Sequence, residues 1–286
     1  MWTGNAIRRY RGLAAADKLR WLLSHPVFRR HPYRVFWRLA KWGWIRKHGR
    51  PTILRFGDLR IKARPFDGIG RLICYFGQEA DEMFKFMDDY LRPGMAMVDV
   101  GANIGTHAIY AARLIGPGGN VLAFEADPAT VEILRENIAL NEITNVAVFG
   151  HCVSDKFGTI DFNINVDSAK SSVIRPGTSK ISVHTRRLGD VLPREFQIDF
   201  LKIDVEGADY SVLTGARDIF NELPPRAVVV EATSYKEEIC DFLSSYGYHL
   251  FNYHDRKLIP LGNPDQILNI YALAAVAAPR EQNNSD

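Results

Sequence analysis

Cysteine is scarce in this chain. Three residues, Cys74, Cys152 and Cys240, are scattered through 286 with no CxxC pair, so neither a disulfide framework nor a thiolate zinc site is indicated. The expected compartment is reducing. Long apolar runs are missing too: a spanning helix needs about 20 such residues, and the longest candidate, ILNIYALAAVAAP at 267–279, reads as a last strand with a tail. The N-terminus carries charge but no uninterrupted apolar segment before a small-residue cleavage site, which argues against a secretory signal. The expected location is the cytoplasm.

Acid is what the first fifty residues lack. They hold 13 Lys/Arg against Asp17 alone, leaving 23 basic and 32 acidic residues in the remainder. The formal charge of +3 is therefore a strongly basic arm joined to an acidic body. All five tryptophans, Trp2, Trp21, Trp37, Trp42 and Trp44, lie in that arm. Such asymmetry points to a charged or interfacial partner.

Apolar periodicity organises the rest, and 47% apolar residues are enough for one substantial core. Residues 1–50 read as short basic helices broken near Pro26 and Pro32. Residues 51–92 form a lead-in, with strand-like alternation over 52–66 and helical spacing over 77–91. Residues 93–278 alternate between strands and helices, with strands at 95–100, 121–125, 145–150, 199–205, 226–232, 248–253 and 267–275. The pattern predicts an α/β fold: a doubly wound, mostly parallel seven-stranded sheet of Rossmann-like type. Two alternating runs within 158–187 read as an inserted β pair, and residues 279–286 as a flexible tail.

In a doubly wound sheet, ligands bind beyond the carboxyl ends of the strands, above all at the first strand-to-helix turn. Here that turn is VDVGANIGTH, 98–107. Its glycines are spaced GxxxG, and neither GxGxxG nor GxxxxGK[ST] occurs, so the dinucleotide and P-loop fingerprints are excluded. Gly101 and Gly105 remove side chains where backbone turns sharply and nears a ligand, and Asn103 tolerates left-handed geometry. Asp99 ends the first strand and Glu125 the second. Two carboxylates would repel a triphosphate, whereas a cationic nucleoside suits them, its ribose hydroxyls donating to Glu125. The plainer alternative is a tight turn beside helix-capping acids.

Three stretches then carry a resemblance: VDVGANIG at 98–105, FEADP at 124–128 and DFLKIDVEGADYSVLTGA at 199–216. Through them the sequence, from about residue 74 to 255, resembles the FkbM family of class I S-adenosylmethionine-dependent methyltransferases. The resemblance implies S-adenosyl-L-methionine as cofactor. It places Gly101, Ala102, Asn103 and Gly105 around the methionine and ribose, Glu125 on the ribose hydroxyls and Asp99 towards the methionine end. It also sets Ser154 and Asp155 beside adenine, and counts Glu79 and Asp204 among the cofactor contacts. For Glu79 the alternative is an acid in the first turn of a helix, stabilised by the dipole. The sequence departs from the family at Asp209, where Glu is frequent, and at Gly189, where Asp often follows the leucine.

Asp204 and Glu206 are the catalytic candidates. If residues 204–206 stay extended, side chains two apart point the same way and both carboxylates face one cleft. Either could orient an alcohol or take its proton during methyl transfer. The pair could instead hold a divalent metal through oxygen ligands, and no metal ligand is assigned. Lys202 pairs with an acid by the same resemblance, while His107, His151, His184 and Glu231 are further candidates with ordinary structural alternatives.

The expected function is O-methylation of a hydroxyl on a sugar, glycolipid, polysaccharide or polyketide-like acceptor. The rivals are a nucleic-acid methyltransferase that grips RNA or DNA through the basic arm and a nonenzymatic binding module on the same fold. The first rival is opposed by the absence of an [ND]-P-P-[FYW] motif and of a cysteine in a Pro-Cys setting. For the arm three readings stand: a membrane surface, packing of its tryptophans on the body, and nucleic acid.

Overall fold

The computed structural model describes residues 23, 26–165, 171, 173, 177, 179–264 and 268–274. Trp2, Trp21 and the tail at 279–286 lie outside them. The chain enters through α1 (Pro26–Arg30) and α2 (Pro32–His48). Each begins at a proline that the sequence marks as a break, because a first helical position has no intrahelical N–H bond to lose. Helix α2 ends where Gly49 turns left-handed and donates to Ile45 O. It buries Val35, Trp42 and Ile45 against the body, whereas Trp37 and Trp44 stay exposed.

The stretch 52–66 is a hairpin, β1 (Thr52–Phe56) and β2 (Leu59–Ala63), turning at Gly57 with φ +61°. It is followed by α3 (Gly68–Phe76) and α4 (Glu82–Tyr90), the latter capped by Asp81, whose side chain accepts from Met83 N–H. Then come β3 (Ala96–Val100), α5 (Thr106–Ile115), β4 (Asn120–Phe124), α6 (Pro128–Leu140) and β5 (Val146–Phe149).

The insertion contains β7 (Gly158–Ile164) and β8 (Ser179–Arg186), paired antiparallel as expected. A short strand, β6 (Cys152–Val153), joins them in parallel, so the inserted pair is part of a three-stranded sheet. The body resumes with β9 (Phe200–Ile203), α7 (Asp209–Gly215), α8 (Arg217–Glu222), β10 (Ala227–Glu231), α9 (Lys236–Ser245), β11 (Tyr248–His254), β12 (Lys257–Pro260) and β13 (Asn269–Ala274).

Among the described residues the main sheet has the order β12-β11-β13-β10-β9-β3-β4-β5. Five neighbouring strands, β5, β4, β3, β9 and β10, run parallel; β13, β11 and β12 are added through antiparallel pairings. All seven expected strands are present. The eighth, β12, is an edge strand that folds back on β11 through Asp255 and Arg256, both at positive φ. Central β9 is buried at every position, as a parallel strand covered on both faces must be, whereas β8 alternates exposed and buried residues. The carboxyl ends of β3, β4, β9 and β10 therefore meet along one edge of the core, where the candidate residues are collected.

Candidate active site

The turn after β3 is built on two close approaches. Gly101 has φ +81°, and a Cβ there would lie 1.9 Å from the carbonyl oxygen of Asp204. Only glycine lets the first and fourth strand ends come together in this way. Gly105 has φ +89° and faces inward, where a Cβ would meet Leu134 Cδ1 at 2.3 Å. Its part is to seat the start of α5 on α6, and it does not line the cleft. Between them Asn103 is left-handed at φ +53°, the geometry its residue type allows.

Glu125, just beyond β4, holds this loop. One carboxylate oxygen accepts from Asn103 N–H at 2.8 Å and the other from Asp127 N–H at 2.9 Å. Burial pushes its carboxyl up to about 7, against the opposing pull of the two amides. A carboxylate offers about four lone-pair sites, so room remains for a hydroxyl donor.

Asp99 is placed differently from the expectation. It is fully buried, and its Oδ1 accepts from Lys202 Nζ at 2.9 Å; Oδ2 has no hydrogen-bond partner. Lys202 is itself 2% exposed and also lies 3.7 Å from Asp204 Oδ2. Burial alone would lower the Lys202 ammonium, but the charges of Asp99 and Asp204 outweigh it and hold it above the ordinary lysine value. The result is a buried Asp99–Lys202 pair whose outer end touches Asp204. Asp99 thus stands behind the cleft wall, with Lys202 between it and the opening.

The strand end at Asp204 is not extended. Glu206 turns left-handed at φ +54° and Gly207 follows at φ +103°. The carboxylates converge nonetheless: ligand oxygens of Asp204, Glu206 and Glu231 all lie within 4.8 Å of one another. The turn is fixed by buried Asp209, which accepts from Val205 N–H at 2.9 Å and Gly207 N–H at 3.0 Å. Such a trio could hold a divalent cation through oxygen ligands.

Burial pushes the Asp209 carboxyl up to about 7 despite those amides. Asp209 and Glu125 therefore act on stability in the same direction. Each keeps a proton in the folded state that the unfolded chain releases from about pH 4 upward, so their contribution is full below that point and is lost as pH rises through about 7. Denaturant unfolding at intervals from pH 4 to 7 should show stability falling, with a shallower fall in Asp209→Asn. An identical slope in the variant would show that Asp209 is ionised throughout.

Gly101, Ala102, Asn103, Glu125, Asp204 and Glu206 all line one cavity of about 1430 Å³, open mouth included. Its walls add Phe124, Ala126, Val153 and Phe162 on the side of β4 and the insertion, and Ile69, Leu72 and Ile73 of α3 opposite. The combination of an apolar slot with carboxylates at its end fits a nucleoside that carries positive charge. Over residues 99–250 the sequence matches the family described as the methyltransferase FkbM domain. The chain belongs to the FkbM methyltransferase family.

Three curated relatives illustrate the range. Methyltransferase sdnD of Sordaria araneosa is 32% identical over 47% of this chain and 65% of its own length. The 31-O-demethyl-FK506 methyltransferase FkbM of Streptomyces tacrolimicus is 29% identical over 45% of this chain and 62% of its own. The hexuronic acid methyltransferase AglP of Haloferax volcanii is 27% identical over 51% of this chain and 60% of its own. The matches thus span less than two thirds of these relatives.

The other residues expected from the sequence of this FkbM-family chain are divided by the structure. Ser154 and Asp155 do not line it; Ser154 Oγ donates to Asp155, and their backbone packs on Gly215 of α7, where a Cβ would lie 2.2 Å from Ser154 O. Cys152 and Val153, just upstream, take the wall position. Glu79 falls in a 3-10 turn, Gly77–Ala80, and its side chain is outside the described residues. His107 and His151 line the cleft and His184 does not.

Two residues passed unnoticed in the sequence. Asp81, the cap of α4, lies 3.4 Å from His107 Nε2 across the cleft floor. Burial would raise its carboxyl, but His107 and the Met83 amide outweigh that and hold it low. Asn137, fully buried on α6, donates to Ile104 O in the glycine turn at 2.8 Å and accepts from Lys62 N–H of β2 at 2.6 Å. The available signal is an amide in register with Val131 and Leu134 on the buried face of an amphipathic helix.

Proposed function

We propose that the protein transfers a methyl group from S-adenosyl-L-methionine to a hydroxyl oxygen. The convergence of Asp204, Glu206 and Glu231 in the FkbM cleft carries this reading. The cofactor, when bound, supplies an electrophilic methyl on a sulfonium. Glu125 would accept from its ribose hydroxyls, the backbone of Gly101 to Asn103 would follow the sugar, and Ala126, Val153 and Phe162 would enclose the base. The carboxylates at the cleft end complement the positive charge.

An alcohol holds its proton far more tightly than a carboxylate does, so proton removal accompanies bond formation instead of preceding it. Asp204, one third exposed and braced by Lys202, is placed to orient the hydroxyl and accept that proton. Glu206 and Glu231 hold the same hydroxyl or its neighbour on the acceptor. A vicinal diol or a polyhydroxylated ring offers donors enough for three acceptors, which favours a sugar, glycolipid, polysaccharide or polyketide-like molecule. The names of two relatives, a 31-O-demethyl-FK506 methyltransferase and a hexuronic acid methyltransferase, support that class. The arm, residues 1–50, would contact a membrane surface, where a lipid-linked acceptor is found.

Incubating the protein with labelled cofactor and separate glycolipid, polysaccharide and RNA fractions tests the acceptor. Label is expected in a glycan or glycolipid; label in RNA alone would overturn the class.

Cofactor affinity should also depend on pH. Ribose hydroxyls and a sulfonium favour ionised Glu125, so binding should be tighter at pH 8 than at pH 6, straddling its value of about 7. Glu125→Gln should bind weakly at both and lose the pH dependence. Calorimetry that finds the same affinity in the variant would show the ribose to be elsewhere.

A further inference from the structure

Helix α2 has two faces. Val35, Trp42 and Ile45 are buried, and Arg38 on that side donates to Tyr75 O of α3 at 3.0 Å. Trp42 reaches α3 as well, its ring 3.4 Å from where a Cβ on Gly70 would stand. On the opposite face, residues four and seven apart place Tyr33, Trp37 and Trp44 in one line, with Phe36 beside it. Their exposures are 88%, 79%, 62% and 56%. Large aromatic side chains this exposed along a single helix face call for a partner.

The surrounding charge identifies its chemistry. Arg29, Arg30, Arg34, Lys41 and Lys47 are exposed around the stripe, and no acidic residue stands between Asp17 and Asp58. Indole and phenol rings prefer the headgroup layer of a bilayer, and flanking cations are attracted to anionic lipid. A linear aromatic stripe bordered by cations is the pattern of a helix lying in the plane of that layer. A nucleic acid would use the cations but would leave a collinear ring row without bases splayed to meet it. Among the described residues no helix is long and apolar enough to span, so the contact is with the surface.

We propose that the Tyr33–Phe36–Trp37–Trp44 face of α2 is the site at which the protein seats on an anionic lipid bilayer. The inference rests on the arm's membrane placement proposed above and names the face responsible. It has a consequence for the cleft: α2 is packed on α3, whose Ile69, Leu72 and Ile73 form a cleft wall. The bilayer surface then lies on the far side of α2, with α2 and α3 between it and the cleft, and the acceptor hydroxyl reaches the opening around them.

The test uses the 286-residue chain and vesicles of phosphatidylcholine with and without about 30% phosphatidylglycerol, whose anionic headgroups supply the negative surface potential. Wild type is expected to co-sediment with the anionic vesicles, less so at high salt. The triple variant Tyr33→Ser, Trp37→Ser, Trp44→Ser should lose at least about tenfold in partitioning, with cofactor affinity unchanged because none of the three touches the cleft. Vesicle binding equal to wild type in the triple variant would assign membrane contact to another face and overturn this proposal alone. No vesicle binding by wild type would overturn both it and the arm's placement. Binding to an RNA oligomer in place of vesicles, or a dimer in sedimentation velocity that the substitutions dissolve, would name a different occupant and also overturn it. Absence of cofactor binding in wild type would instead strike the methyltransferase reading.

Discussion

Replacing Lys202 with Met is expected to destabilise the protein by about 3–5 kcal/mol, the usual loss when one member of a buried ion pair is removed. Asp99 and Lys202 are 0% and 2% exposed, and among the described residues the ammonium is the only hydrogen-bond partner of the Asp99 carboxylate. Without it, a fully buried carboxylate must either take a proton or drag water into the sheet. The double variant Asp99→Leu, Lys202→Met removes both charges and should recover much of the loss, since an apolar pair of similar volume is frequently as stable as the ions. Chemical denaturation of the wild type and both variants measures this directly. A loss below about 1 kcal/mol in the single variant would mean that the Asp99–Lys202 pair does not brace the sheet.

A different kind of loss is expected from Asp204→Asn. The substitution keeps size and hydrogen-bonding reach, so the fold and the approach of Gly101 to the Asp204 backbone should survive. What disappears is the proposed proton acceptor, and the turnover rate should fall by about 10²–10⁴-fold, the range for loss of a positioned general base. Cofactor affinity should change far less. Single-turnover methylation of an acceptor found by the labelling experiment provides the rate. A fall under tenfold would move the proton acceptor elsewhere, and His107, lining the same cleft beside Asp81, would be next. Glu206→Gln should give a smaller loss, because the role proposed for Glu206 is to orient the hydroxyl.

The periodic part of the fold is readable from residues alone: alternating runs locate all seven strands of the expected sheet, and the prolines at 26 and 32 mark two helix starts. The eighth strand escapes because its hairpin turns at Asp255–Arg256, where two non-glycine residues take positive φ; the turn chemistry that normally announces such a hairpin is Asn-Gly or Asp-Gly. The cleft acids are identifiable by position at strand ends, yet their geometry is not. Alternation predicts that Asp204 and Glu206 converge on an extended strand, whereas they converge through a left-handed turn clamped by Asp209. That clamp depends on where a helix four residues later is packed. Asp99 shows the same limit: a carboxylate at the right offset cannot be told apart, in sequence, from one whose lysine lies 103 positions away.

The paired amides between α6 and β2 bear on a different property, the behaviour of the molecule among its own copies. Asn137 accepts from Lys62 N–H and donates to Lys62 O, while Asn141 does the same for Arg60. Two side chains on a helix thus imitate a neighbouring strand along the outer edge of the hairpin. An open edge is a template on which another chain can add a strand, and natural sheets take care to block it. Here the same amide that steadies the glycine turn from behind also closes that edge, so one residue links the order of the cleft to resistance against aggregation.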